Sequence, residues 1–116
     1  MARVSMDGDS MTVEMQGLHK AWALKSRIVV PLAHVRGATA DPGMMREPKG
    51  LRAPGLHIPG GAVIGTFHRD GEATFWDVSK RARAVVIELA DEAYNRIIVD
   101  VADPRGIATA INRATG

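Results

Sequence analysis

Asp70-Gly71 stands between two β-prone runs, Ala62-Val63-Ile64-Gly65-Thr66-Phe67-His68-Arg69 and Glu72-Ala73-Thr74-Phe75-Trp76-Asp77-Val78. Asp-Gly in that setting predicts a tight hairpin, because a type I′ turn needs positive φ at both central residues. With Asp70 and Gly71 at the centre the register is dictated. Arg69 faces Glu72, His68 faces Ala73, Phe67 faces Thr74, Thr66 faces Phe75 and Gly65 faces Trp76. Alternation then sends Val63, Phe67, Thr74, Trp76 and Val78 to one face, and Ile64, Thr66, His68, Ala73, Phe75 and Asp77 to the other. The first set, with Trp76 across from the bare Gly65, is expected to be the core face. A slip of one residue would put Trp76 in water, so burial and turn geometry specify the same pairing. Arg69 and Glu72 form an expected exposed cross-strand pair, worth roughly a few tenths of a kcal/mol.

The chain has 116 residues and no cysteine. That length suits one domain, residues 1–116, able to bury a core without cross-links. Disulfides and thiolate zinc sites are excluded. No apolar run reaches the roughly 20 residues that span a bilayer, and Met1-Ala2-Arg3-Val4-Ser5-Met6-Asp7 has no apolar stretch of a signal peptide. The expected setting is cytoplasmic, with attachment to a membrane surface left open. Fifteen Lys and Arg against thirteen Asp and Glu leave a formal charge of +2, so nucleic acid is not an expected partner.

Residues 2–16 read as a first hairpin. Val4 and Met6 alternate with polar residues before Asp7-Gly8-Asp9, and Met11, Val13 and Met15 do so after it. With Asp7-Gly8 as the turn, Val4 would face Met11, and Ser5, Ser10, Thr12 and Glu14 would point outward. Residues 17–26 fit a helical turn or a strand, and Trp22 within them is expected to anchor the core. Arg27–Val30 reads as a strand that Pro31 ends, Pro31–Val35 as a single turn, and Arg36–Ala40 as a return to strand. Residues 41–61 hold Pro42, Pro48, Pro54 and Pro59 among five glycines. They read as a long ordered loop tacked down by Leu51, Leu56 and Ile58. Ala84–Leu89 is the most apolar strand, Ala90–Ala93 a turn, and Tyr94–Val101 the last strand. Asp103 is placed to cap a helix with Pro104 at its first position, and Ile107, Ala108, Ile111 and Ala114 form its apolar stripe. The sum is a mainly β fold: a seven-stranded antiparallel curved sheet or split barrel, capped by one C-terminal α-helix.

That order of elements resembles the pleckstrin-homology-like (PH-like) fold over the whole chain. In sequence the chain looks like a group of small actinobacterial proteins with this fold and no assigned biochemical role. The likeness rests on Leu18-His19-Lys20-Ala21-Trp22-Ala23-Leu24, Val30-Pro31-Leu32-Ala33-His34-Val35, Gly50-Leu51-Arg52-Ala53-Pro54-Gly55, Gly65-Thr66-Phe67 and Phe75-Trp76-Asp77. The resemblance implies a binding module. Eukaryotic members of the fold often bind phosphoinositides through basic residues around the first hairpin loop. Here that loop is Asp7-Gly8-Asp9, which is acidic. Other relatives bind peptides or self-associate.

Candidate chemistry is sparse. His19, His34, His57 and His68 match no metal-ligand spacing, so no metal and no cofactor is expected. Asp77 or Glu88 in a cavity could act as a base, but no nucleophile accompanies them. The candidate contact residues are Arg46, Lys49, Leu51, Arg52, Leu56 and His57 in the long loop, and Lys80, Arg81 and Arg83 beyond the central hairpin. The expectation is a noncatalytic module working by protein–protein contact or self-association, with the loop 43–61 and the edges of the curved sheet as contact surface and strand addition as its mode. The alternatives are a peripheral binder of anionic membranes using the two basic clusters, and a small-ligand carrier or enzyme with a pocket near Trp76 and His57.

Overall fold

The computed structural model describes residues 2–15, 27–40, 51–57, 63–78 and 83–115. For Leu51–His57, Val63, Ile64 and Arg69 the description covers the backbone alone. The elements are β1 (Ala2–Asp7), β2 (Ser10–Met15), β3 (Arg27–Pro31), a 3-10 turn (Leu32–His34), β4 (Val35–Ala40), β5 (Leu51–His57), β6 (Val63–Arg69), β7 (Glu72–Val78), β8 (Ala84–Leu89), β9 (Arg96–Asp100) and α1 (Pro104–Thr115). They build a three-stranded sheet, β1-β2-β3, and a six-stranded sheet in the order β4-β8-β9-β7-β6-β5. Trp22, Ile58 and the loop residues 41–50 lie outside the described residues.

The central hairpin pairs in the register its turn dictates, from Arg69↔Glu72 to Gly65↔Trp76. Asp70 and Gly71 have φ of 53° and 80°, the I′ pattern. The first hairpin departs from expectation. Its partners are Met6↔Met11, Val4↔Val13 and Ala2↔Met15, so Gly8-Asp9 forms the turn. Gly8 takes the positive φ, 62°, at the first central position, as a type II′ turn requires. The pairing is two residues away from the expected one. Because side chains repeat every two residues, the apolar stripe stays on the same face. Thr12, expected outward, is buried. It belongs to the central strand, flanked by Ser5 on one side and Val29 on the other.

Three further expectations are corrected. Leu51–His57 is not loop but strand, paired with β6 from Leu51↔His68 to His57↔Val63. Pro54 and Gly55 disguise it, and the ladder tolerates them because the register shifts between Arg52 and Gly55 at an edge. The strands therefore exceed seven, and the sheet is not antiparallel throughout. β9 enters between β8 and β7, antiparallel to β8 and parallel to β7. No ladder among the described strands joins the two sheets, so they form an open pair and not a closed barrel.

The larger sheet is buried on both faces. Phe75, Val85, Ile87, Ile97 and Val99 join the inner face of the three-stranded sheet and Ala108 and Ile111 of α1 in one core. Phe67, Trp76, Val78, Ala84, Val86 and Ile98 form a second cluster on the opposite face. Within it Phe67 meets Trp76 edge-on, with centroids 6.4 Å apart. The larger core thus lies on the Phe75 face, the reverse of the sequence expectation. A mixed sheet covered on both sides reads as a continuous apolar run, not an alternating one.

Asp103 caps α1 as expected. Its Oδ1 accepts from the Gly106 N–H at 3.1 Å, and its carbonyl accepts from the Ile107 N–H at 2.9 Å. The buried stripe ends at Ile111; Ala114, expected to extend it, is exposed. Two substitutions test this account by chemical denaturation. Phe75→Ala should cost about 3–5 kcal/mol, the range for a core aromatic, whereas a loss below about 1 kcal/mol would return Phe75 to the surface. Asp103→Ala should cost about 1 kcal/mol; no change would mean that the carboxylate does not hold the helix start.

Candidate functional site: the sheet edges

The described side chains assemble no converging reactive group. His34 Nδ1 is hydrogen-bonded to Glu92 Oε2 at 2.5 Å, joining the 3-10 turn to the β8–β9 connection. The Ala90 N–H also donates to the His34 carbonyl, at 2.8 Å. Asp77 and Asp100 are both fully buried but belong to opposite faces of the sheet, since Asp77 pairs with Val99 and Asp100 with Ala84. They cannot act as a carboxylate pair. Glu88 is half-exposed and receives the Arg96 Nε–H at 3.0 Å. Glu72 lies 3.8 Å from the same guanidinium. Among the described residues no three His, Asp or Glu converge as a metal would require.

Arg46, Lys49, Lys80 and Arg81 lie outside the described residues. Leu51, Arg52, Leu56 and His57 fall on β5, the terminal strand of the larger sheet. Arg83 is exposed, and its Nη1 donates to the Ala102 carbonyl at 2.7 Å. The Val101 N–H donates to the Arg83 carbonyl at 3.0 Å. Arg83 therefore ties the start of β8 to the chain leaving β9.

What the fold does present is a set of sheet edges, and they differ. A terminal strand carries backbone N–H and C=O groups that need partners or water. At β4 a side chain supplies them. Asn112 of α1 accepts the Ala38 N–H on Oδ1 and donates Nδ2–H to the Ala38 carbonyl, both at 2.9 Å. The amide thus imitates one residue of a neighbouring strand. Gly37 makes room for it, since a Cβ there would come within 3.2 Å of Asn112 Oδ1. At β5 the bulge and Pro54 interrupt the edge, two devices that blunt strand pairing. β3 pairs with β2 through five consecutive residues without a bulge, and only its last residue, Pro31, has no N–H to give.

β1 also pairs with β2 without a bulge, through six consecutive residues. In a two-residue hairpin the residues flanking the turn exchange both backbone hydrogen bonds, and this alternates along the ladder. Asp7, Ser5 and Arg3 therefore turn their backbone groups toward β2, and Met6, Val4 and Ala2 turn theirs outward. Beside that edge runs a half-open groove of about 270 Å³. Ala2, Val4, Val101 and Ile107 give it apolar walls, and Arg3 and Asp103 stand at it with opposite charges. It lies between the edge strand and the first turns of α1.

Sequence reasoning missed Asn112 and the groove. Gly37 inside a strand was the available signal, since such a glycine often marks close approach by another group. The groove joins Ala2–Val4 to Val101–Ile107, nearly a chain length apart, and no local pattern announces it. In comparisons with family models, curated proteins and solved structures, nothing matches this chain.

Asn112→Ala should cost about 1–2 kcal/mol in denaturant, because two hydrogen bonds are lost and the Ala38 peptide is left to whatever water can reach it. Asn112→Asp keeps the acceptor but sets a carboxylate against the Ala38 carbonyl, so it should not rescue. Full stability in either variant would show that the amide does not hold the edge.

Proposed function

We propose that this protein is a noncatalytic binding module that captures an extended segment of a partner protein by strand addition. One observation carries the reading: β1 is an unbroken edge strand with an apolar groove alongside it, while β4 is closed by Asn112 and β5 is interrupted. An added strand would hydrogen-bond the outward backbone groups of Ala2, Val4 and Met6. Its alternate side chains would enter the groove. Of the contact surface expected from sequence, the loop 43–61 and the edges of the curved sheet, this reading keeps an edge and assigns it to β1.

The finer architectural reading is of PH-like type. The mainly β body with one C-terminal helix supports it, and the parallel β7–β9 pair departs from a plain succession of hairpins. No described helix is long and apolar enough to cross a membrane.

The test is selection of random decapeptides displayed on phage against the immobilised protein, with Ile107→Glu as the groove variant. Peptides with alternating apolar residues should be enriched, and capture should fall about tenfold or more with Ile107→Glu while the far-UV circular dichroism stays unchanged. Capture lost instead with Leu51, Arg52 and Leu56 replaced by Ser would move the site to β5 and overturn the β1 assignment. No enrichment, with salt-sensitive sedimentation on anionic vesicles, would replace the reading by the membrane one.

A further inference from the structure

Strand addition at β1 leaves the added strand unidentified. Resting on that reading, we propose that the added strand is β1 of a second copy of this chain, antiparallel about a two-fold axis through Ser5. Outward-facing residues must pair with outward-facing residues, so the choices of register are few. An axis through Ser5 sets Val4 against Met6 of the second copy, and both turn their backbone groups outward. It also sets Arg3 against Asp7 of the second copy, and Asp7 against its Arg3. Arg3, Ser5 and Asp7 are all exposed, on the outer face of the sheet. An axis through Val4 would instead put Arg3 against Ser5 and Asp7 against residue 1, and an axis through Met6 would put Ser5 against Asp7 and Arg3 against residue 9, outside the strand. Opposite charges directly across a ladder are favourable and like charges are not, so the charge pattern selects the axis at Ser5.

The inner face agrees with the outer one. Val4 is buried, and Met6 is partly buried against the main core. In this register the Met6 side chain of each copy comes beside Val4 of the other, and Val4 is a wall of the groove. An unbranched thioether suits an irregular apolar space. The contact is isologous, so both grooves are filled by one symmetric arrangement. Two three-stranded sheets become one of six strands, and the β1 edge is closed on both copies.

Sedimentation equilibrium across a wide concentration range, at low and high salt, tests this with Asp7→Arg and Arg3→Asp. Within the chain Asp7 lies opposite Ser10 and Arg3 opposite Glu14, so Asp7→Arg is the cleaner variant and thermal melts confirm that both fold. The wild type should dimerise, more weakly at high salt. Each variant alone should associate at least about tenfold more weakly, since like charges then meet twice. An equimolar mixture of the two variants should form a heterodimer, because both positions then bear opposite charges. A dimer indifferent to either variant, or a mixture that stays monomeric, overturns the proposal. A monomeric wild type that still captures displayed peptides in an Ile107-dependent way overturns the second copy as partner and leaves strand addition standing. A monomer that captures none overturns both.

Discussion

Two hydrogen bonds between the Asn112 amide and the Ala38 peptide decide how this fold ends on one side. A sheet needs an answer for its outermost backbone groups, and β4 finds it in a side chain seventy-four residues away. The contact also fixes where α1 lies. With Asn112 held at Ala38, Ile111 and Ala108 turn into the main core, and the first turn of the helix, with Asp103 and Ile107, comes to stand beside β1. One end of the helix closes an edge while the other shapes a groove at a second edge.

The strand order makes this arrangement necessary. β9 inserts between β8 and β7 and places Ile97, Ile98 and Val99 where both faces are covered. β4 is thereby left at the margin of the sheet, joined among the described strands only to β8. The 3-10 turn before it links the two sheets. Leu32 donates its N–H to the Asp9 carbonyl at 2.7 Å, and His34 reaches Glu92. Asn95 fastens the other end of the larger sheet. Its Oδ1 and its own N–H both bond the Ala73 peptide at 2.8 Å, and its carbonyl receives the Leu89 N–H. Backbone bonds and a few polar side chains together do the joining where these strand ladders stop.

Local chemistry was legible in the sequence, and long-range order was not. Asp70-Gly71 carried its register because turn geometry and Trp76 burial agree over a few residues. Asp103-Pro104 carried the helix start for the same reason. Phe75 was correctly placed on the face opposite to that of Trp76, but only the Trp76 face was taken as core, because the alternation of one hairpin cannot reveal that both faces of its sheet will be buried. Leu51–His57 was hidden by Pro54, which argues against strand everywhere except at an edge or bulge. Of the basic residues that stand out in the sequence, Arg46, Lys49, Lys80 and Arg81 lie outside the described residues and Arg52 is described by its backbone alone. Arg83 is occupied with the Ala102 carbonyl. The β1 edge, made of unremarkable residues, is instead distinguished by what packs near it.

The central claim is that, among the described residues, the β4 edge is closed and the β1 edge open. Residue-resolved amide hydrogen exchange on a dilute sample tests it directly, since exchange reports which backbone N–H groups are held. The account predicts slow exchange at Ala38, slow exchange at Arg3 and Ser5, and fast exchange at Val4 and Met6. Rapid exchange at Ala38, or protection of Val4 and Met6 equal to that of Ser5 in the dilute monomer, would contradict it.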